Sequence, residues 1–119
     1  MKRLLLLTFV AASSASSLAA AHAFLDHAAP AVGSSVRAPP TQVKLWFTQQ
    51  LEPAFSSVRV VDRSNQRVDR DDAKVDSADP KTLQVSLPKL APGRYRVVWR
   101  VLSVDTHVSE GDFVFDVAP

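Results

Sequence analysis

The chain has 119 residues, no cysteine and a nearly balanced charge, with 14 Lys and Arg against 12 Asp and Glu. Two of the basic residues, Lys2 and Arg3, stand in the leader described below, so the rest of the chain has a formal net charge of zero. The absence of cysteine excludes disulfides and thiolate ligands. The charge balance also argues against nucleic acid as a partner, because such binding depends on a basic surface.

The first element in chain order is a leader. Two basic residues precede an apolar run from Leu4 to Val10, and small residues then continue to Ala21. This is the pattern of a secretory signal peptide. We predict a signal peptide over residues 1–21, cut after Ala21, and an exported domain over residues 22–119. Cleavage after Ala23 is the alternative, because the residues before it are also small-x-small.

The exported part alternates apolar and polar residues in a series of short runs, which is typical of half-buried antiparallel strands. The runs are residues 43–48, 57–60, 83–87, 94–101 and 112–117. With the segments that follow His22, we expect about seven strands. The pattern predicts an all-β fold, a seven-stranded Greek-key β-sandwich or barrel of immunoglobulin-like type, cupredoxin-like in outline. Residues 51–55 are expected to form a brief helical turn.

Three aromatic residues have predicted places in this fold. Tyr95 directly follows the turn Pro92-Gly93-Arg94 at the start of a strand, which is typical of a tyrosine corner. The alternation places Tyr95 and Trp99 in the core. Trp46, between inward residues, is either an exposed aromatic side chain or a sign that both faces of its strand are covered.

Histidine carries the chemistry that the sequence predicts. Cleavage after Ala21 would make His22 the first residue, and its α-amine and ring Nδ1 could then hold one metal ion. First and last strands of a sandwich commonly adjoin, so His22 could meet Asp105 and His107, which share a side if residues 105–107 are extended. Three nitrogens and one carboxylate oxygen suit Cu(II), with Zn(II) as a competitor. Sulfur ligands for Cu(I) are lacking, because the only methionine is Met1.

The other candidate residues receive weaker assignments. His27 falls on the opposite face of an extended strand from His22, so we expect a position at the strand edge or behind the ligands. Asp26 shares the face of His22 and could orient the site or remain a solvated carboxylate. Glu110 and Asp112 are expected to be surface charges near the site.

Four blocks of sequence carry a family resemblance. They are His22-Ala23-Phe24-Leu25 with Pro30-Ala31-Val32-Gly33-Ser34, then Val43-Lys44-Leu45-Trp46-Phe47-Thr48, then Pro92-Gly93-Arg94-Tyr95-Arg96-Val97-Val98-Trp99, and Ser103-Val104-Asp105-Thr106-His107 to Val117. Together they resemble CopC-type periplasmic copper-resistance proteins over essentially the whole exported part. The resemblance implies a seven-stranded Greek-key barrel or sandwich. It also implies one Cu(II) site at His22, Asp105 and His107, and a link to a CopD-type inner-membrane copper permease.

Two departures from that family limit the copper sites and ligands that the resemblance implies. No methionine stands in the exported part, so the resemblance implies no second, Cu(I) site. The family often has an acidic residue where Gln49 aligns, and a neutral amide supplies no charge to the ion.

The sequence therefore predicts a monomeric carrier or buffer of one Cu(II) ion rather than an enzyme. One alternative is an oxidative copper enzyme, because lytic polysaccharide monooxygenases also bind copper through an N-terminal histidine. The other is a metal-free immunoglobulin-like interaction domain in which the histidines are incidental.

Overall fold

The computed structural model describes residues 23–119, so the predicted leader and His22 lie outside the described residues. Eight strands follow in chain order. They are β1 (Leu25–Ala29), β2 (Ser35–Val36), β3 (Gln42–Phe47), β4 (Ser57–Val61), β5 (Lys74–Val75), β6 (Thr82–Ser86), β7 (Gly93–Leu102) and β8 (Val108–Val117). They form two four-stranded sheets with the orders β1-β3-β6-β5 and β2-β8-β7-β4. The predicted all-β sandwich is confirmed.

The strand count is eight instead of the predicted seven. β2 and β5 have two residues each, and alternation cannot be recognised over so short a run. β2 pairs in parallel with the end of β8, and β5 pairs antiparallel with β6. The predicted helical turn is present as a 3₁₀ helix over Pro53–Phe55. Within residues 23–119, no helix has the length and apolar character needed to cross a membrane.

The inward side chains of both sheets form one core. Its largest fully buried members include Phe115, Leu45 and Leu83, each from a strand whose sequence alternates as predicted. Burying such side chains contributes about 1.5–3 kcal/mol each. The two predicted core aromatic residues, Tyr95 and Trp99, are buried as expected.

Two contacts fix those aromatic residues. The Tyr95 hydroxyl donates to the carbonyl oxygen of Ala91 at 2.6 Å, which confirms the tyrosine corner. Trp99 packs edge-on against Phe47, with 5.2 Å between ring centroids. Gly111 lies directly opposite Trp99 on β8, and a Cβ atom there would collide with the indole ring. The glycine is therefore required by close packing at this end of the core.

Candidate metal centre

The connection between β7 and β8 forms the centre of the candidate site. We call residues 103–107 the metal loop. Its two ends are joined by a hydrogen bond from the Ser103 amide to the His107 carbonyl oxygen, at 3.0 Å. The Thr106 amide donates to the Ser103 carbonyl oxygen at 2.9 Å. The loop is thus a tight turn that closes a hairpin of two ten-residue strands.

The turn brings Asp105 and His107 together in a way the sequence did not predict. The prediction assumed an extended triplet, but Thr106 has a φ of +74°, in the left-handed region. A β-branched residue rarely adopts this conformation, because its side chain crowds the backbone. The turn still leaves Asp105 Oδ1 only 3.5 Å from His107 Nδ1. The expected proximity of these two side chains is confirmed, and its cause is the turn.

Ser103 lies beneath both side chains. It has no exposed surface, and its hydroxyl makes a short hydrogen bond to Asp105 Oδ1. The His107 amide lies 3.3 Å from the same hydroxyl oxygen and donates to it. The pKa of Asp105 lies below its usual value, mainly because Ser103 donates a hydrogen bond to the carboxylate. Partial desolvation acts in the opposite direction, and His107 lowers the pKa by a smaller amount. Asp105 is therefore held as a carboxylate.

The two candidate ligands remain accessible. The side chain of Asp105 is 42% exposed and that of His107 is 46% exposed. A carboxylate oxygen and an imidazole nitrogen at this separation could approach one ion, and both suit Cu(II) or Zn(II). Two side chains do not complete a site. Among residues 23–119, no group of three or more His, Asp or Glu could hold a metal ion.

The start of the described chain is connected to the metal loop through residues 48–51. Ala23 is fully buried, the Phe24 amide donates to the Thr48 hydroxyl at 3.0 Å, and the Thr48 amide donates to the Phe24 carbonyl oxygen at 2.9 Å. The residues after Thr48 then reach the metal loop. The Val104 amide donates to the Gln50 carbonyl oxygen at 3.0 Å, and a β-bridge joins Leu51 to Ser103.

This route differs from the one the sequence suggested. β1 and β8 belong to different sheets, so the chain start does not pair with the last strand. Residues 48–51 form the link instead, because they follow β3, the neighbour of β1, and contact the loop after β7. Gln49 lies in this link and is exposed.

His27 lies in a separate surface cluster. A β-bulge between Leu25 and His27 changes the phase of β1, so Asp26 and His27 do not point to opposite faces as the extended strand predicted. His27 Nδ1 is 2.7 Å from Asp26 Oδ2, and its ring stacks on Trp46 with 4.3 Å between centroids. The Lys44 ammonium lies 5.0 Å from the centre of the Trp46 ring. Trp46 is therefore partly covered by neighbouring side chains and only partly exposed.

Sequence reasoning missed Ser103 and the conformation of Thr106. A serine two residues before an aspartate at the end of a strand is a signal for a local side-chain hydrogen bond, and it could have indicated this turn. Glu110 and Asp112 are surface residues that pair with Arg100 and Arg96 across the hairpin.

Comparison with known proteins agrees with this architecture. Residues 25–118 match the family profile of the CopC domain. The chain is 38% identical over 98 residues to Protein YobA of Escherichia coli strain K12, which covers 82% of this chain and 79% of that protein. It is 39% identical over 114 residues to Copper resistance protein C of Xanthomonas campestris pv. juglandis, covering 91% and 89%.

A solved structure supports the same assignment. The crystal structure of CopC from Methylosinus trichosporium OB3b superposes with a TM-score of 0.78 and 41% sequence identity. The match covers 82% of this chain and 95% of that one. The sequence resemblance is confirmed by both kinds of comparison, and the chain belongs to the CopC family.

Proposed function

We propose that the exported chain is a periplasmic protein that captures one Cu(II) ion through His22, Asp105 and His107. It buffers the ion or delivers it, with a CopD-type inner-membrane copper permease as the receiving partner. The observation that carries this proposal is the approach of Asp105 and His107 to 3.5 Å on an accessible turn. The names of relatives as copper-resistance proteins point to the same metal.

The donor set explains the choice of Cu(II). Asp105 and His107 supply a carboxylate oxygen and an imidazole nitrogen, and a chain that begins at His22 would add an amine and a second imidazole. Such nitrogen and oxygen ligands suit the tetragonal geometry of Cu(II), which also stands highest in the affinity order of divalent ions. Anchoring of Phe24 to Thr48 supports this set, because it holds the start of the chain near residues that contact the metal loop.

The same donor set predicts how binding changes with pH. Imidazole and α-amine nitrogens bind protons with ordinary pKa values of about 6.5 and about 8, and metal must displace these protons. Asp105 stays ionised well below these values, because its pKa is lowered by Ser103. Cu(II) affinity should therefore fall steeply below about pH 6 through the nitrogen ligands. Equal affinity at pH 7.5 and pH 5 would contradict the proposed ligands.

The carrier is favoured over an oxidative enzyme. A polysaccharide-cleaving copper enzyme needs a flat aromatic surface beside the metal, and one face of Trp46 is stacked against His27. Ascorbate and oxygen distinguish the two functions. A carrier should show no sustained peroxide production or polysaccharide cleavage, whereas either activity would contradict the proposal.

Native mass spectrometry tests the proposal most directly. The full chain is exported and processed in a bacterial periplasm, purified, and mixed with one equivalent of Cu(II). We expect a chain that begins at His22 and carries one copper ion. A chain that begins at Phe24, or one that begins at His22 and stays metal-free, would overturn the proposed site.

Histidine variants provide the matched control. His107→Ala and His22→Ala should each weaken Cu(II) binding by at least about 100-fold, which is about 2.7 kcal/mol. His27→Ala removes the one remaining histidine of the sequence and should leave Cu(II) affinity unchanged. The reason is that the His27 ring contacts Asp26 and Trp46. Equal losses in all three variants would contradict the assigned ligands.

A further inference from the structure

Ser103 differs from the other two buried serine and threonine residues of the described region, Ser56 and Thr82. The Thr82 hydroxyl donates to the carbonyl oxygen of Asp79 at 2.8 Å. The Ser56 hydroxyl lies between the amide and carbonyl groups of Leu102, at 3.2 and 3.4 Å. Only Ser103 contacts both Asp105 and His107.

The Ser103 hydroxyl has two neighbouring acceptors, Asp105 Oδ1 and the His107 carbonyl oxygen at 3.3 Å, and one neighbouring donor, the His107 amide. A serine hydroxyl has one proton to donate and two lone pairs that accept. The shorter contact and the charge of the carboxylate direct the proton to Asp105 Oδ1, and the oxygen accepts from the His107 amide at 3.3 Å. One buried atom therefore restrains the side chain of Asp105 and the backbone of His107.

We propose that Ser103 is a positioning residue for the copper ligands. It does not contact the ion; it fixes the carboxylate of Asp105 and the backbone from which the His107 ring projects, so that both face one point. This inference rests on the proposed function, because it needs Asp105 and His107 to be ligands. Groups that hold metal ligands in this way typically change metal affinity by 10–100-fold.

The burial of Ser103 makes this restraint effective. Asp105 is about half exposed, so water would otherwise compete for its carboxylate and let the side chain sample other rotamers. The hydroxyl that holds it has no exposed surface. Ser103 directly follows β7 and forms a β-bridge with Leu51. The restraint is thus transmitted from the rigid end of the sheet to an exposed ligand.

The test compares Ser103→Ala with Ser56→Ala in the processed full chain. Each variant removes one buried serine hydroxyl at the same end of the β-sandwich, but only Ser103 contacts the ligand residues. Cu(II) affinity is measured by competition with a chelator of known affinity, and the copper environment by electron paramagnetic resonance. Thermal unfolding of the metal-free proteins measures any general loss of stability.

We expect Ser103→Ala to lower Cu(II) affinity by 10–100-fold and to change the resonance spectrum. Ser56→Ala should lower the unfolding temperature while leaving affinity and spectrum unchanged. Wild-type affinity and an unchanged spectrum in Ser103→Ala would overturn the positioning role, although the proposed function would stand. If the wild-type chain itself binds no Cu(II), the proposed function fails.

A second measurement covers the case in which Ser103→Ala does not fold. The metal-free wild-type protein is studied by proton nuclear magnetic resonance. The Ser103 hydroxyl proton should exchange slowly with water, and it should exchange faster in Asp105→Ala, which removes an exposed acceptor. A Ser103 hydroxyl proton that exchanges rapidly in the wild type would overturn the inference.

Discussion

Two loops of this protein each contain an aspartate that accepts hydrogen bonds, yet the two carboxylates differ in exposure and in the number of donors that they bind. Asp105 in the metal loop is 42% exposed and accepts from one buried hydroxyl. Asp69 has no exposed side-chain surface. Its oxygens accept from the amides of Val60 and Asp71, at 2.7 and 2.9 Å, and from the Arg67 guanidinium at 3.0 Å.

The second loop, which we call the edge segment, comprises residues 67–72. Besides Asp69 it contains Asp72, whose carboxylate accepts from the Ser86 amide at 2.8 Å on β6. Asp69 meets β4 and Asp72 meets β6, so the edge segment connects the two sheets. The comparison shows that exposure and remaining acceptor capacity, rather than residue type, separate a candidate ligand from a structural carboxylate.

The largest expected effect is the loss of copper in Asp105→Ala. We expect Cu(II) affinity to fall at least about 100-fold, or about 2.7 kcal/mol, because a negatively charged ligand is removed. Stability of the metal-free protein should fall less than in Asp69→Ala, because the Ser103 hydroxyl lies 3.3 Å from the His107 carbonyl oxygen and can donate to it instead. Chelator competition and thermal unfolding measure the two quantities. Asp71→Ala removes a more exposed carboxylate from the edge segment and should leave copper binding intact.

The complementary change is Asp69→Ala in the edge segment. The Val60 amide would lose its acceptor and the Arg67 guanidinium would lose its buried carboxylate partner. The free energy of unfolding should therefore fall by about 2–3 kcal/mol. Denaturant unfolding measures this loss. The folded fraction should bind Cu(II) with wild-type affinity. A folded Asp69→Ala protein that no longer binds copper would remove the proposed distinction between the two loops.

An intermediate effect is expected from exchanging residues between two turns. Thr106 (φ +74°) and Asn65 (φ +62°) both have left-handed backbone, which asparagine tolerates better than a β-branched residue. Thr106→Asn should raise the free energy of unfolding by roughly 0.5–1 kcal/mol, and Asn65→Thr should lower it by a similar amount. Denaturant unfolding of both variants tests this symmetry. Changes of the same sign would contradict the assigned strain.

The smallest effect concerns the pH dependence of the edge segment. Hydrogen bonds from Ser86 hold the pKa of Asp72 below its ordinary value of 3.8. A carboxyl whose pKa is lower in the folded than in the unfolded state stabilises the protein above the unfolded value, and this stability is lost as pH falls through the folded value. Asp72→Asn should therefore flatten the decline in stability below about pH 4.

Denaturant unfolding at a series of pH values between 5 and 2.5 measures this decline. Asp71→Asn is the control, because Asp71 is highly exposed. An unchanged slope in Asp72→Asn would show that the Ser86 hydrogen bonds do not couple to folding.

The strands and core could be predicted because their signal is repeated along the chain. β7 shows it best, with Tyr95, Val97, Trp99 and Val101 all buried on one face. Each further residue of the same period strengthens the prediction. The tyrosine corner was also predictable, because it depends on a local turn and one hydroxyl.

The details of the candidate site depend on single residues, and this is why the sequence predicted them poorly. The bulge in β1 inserts one residue and brings the side chains of Asp26 and His27 together. It interrupts the alternation of apolar and polar residues, so the sequence pattern does not reveal it. The left-handed Thr106 contradicts the local preference of its residue type, so only the closed turn explains it. The proximity of Asp105 and His107 was predictable because they lie close in sequence, whereas the approach of a residue from the chain start depends on the whole fold.

The edge segment also covers two strand edges that could otherwise pair with a second chain. An exposed strand edge offers unpaired amide and carbonyl groups to a second chain, which is a common route to aggregation. At the edge of β4, Val60 donates to Asp69 and accepts from the Val68 amide at 2.8 Å. Beyond the two residues of β5, Ser86 is likewise paired with Asp72 and Arg70. Both edges are therefore capped by the protein's own chain, and neither offers these groups as a template for strand addition.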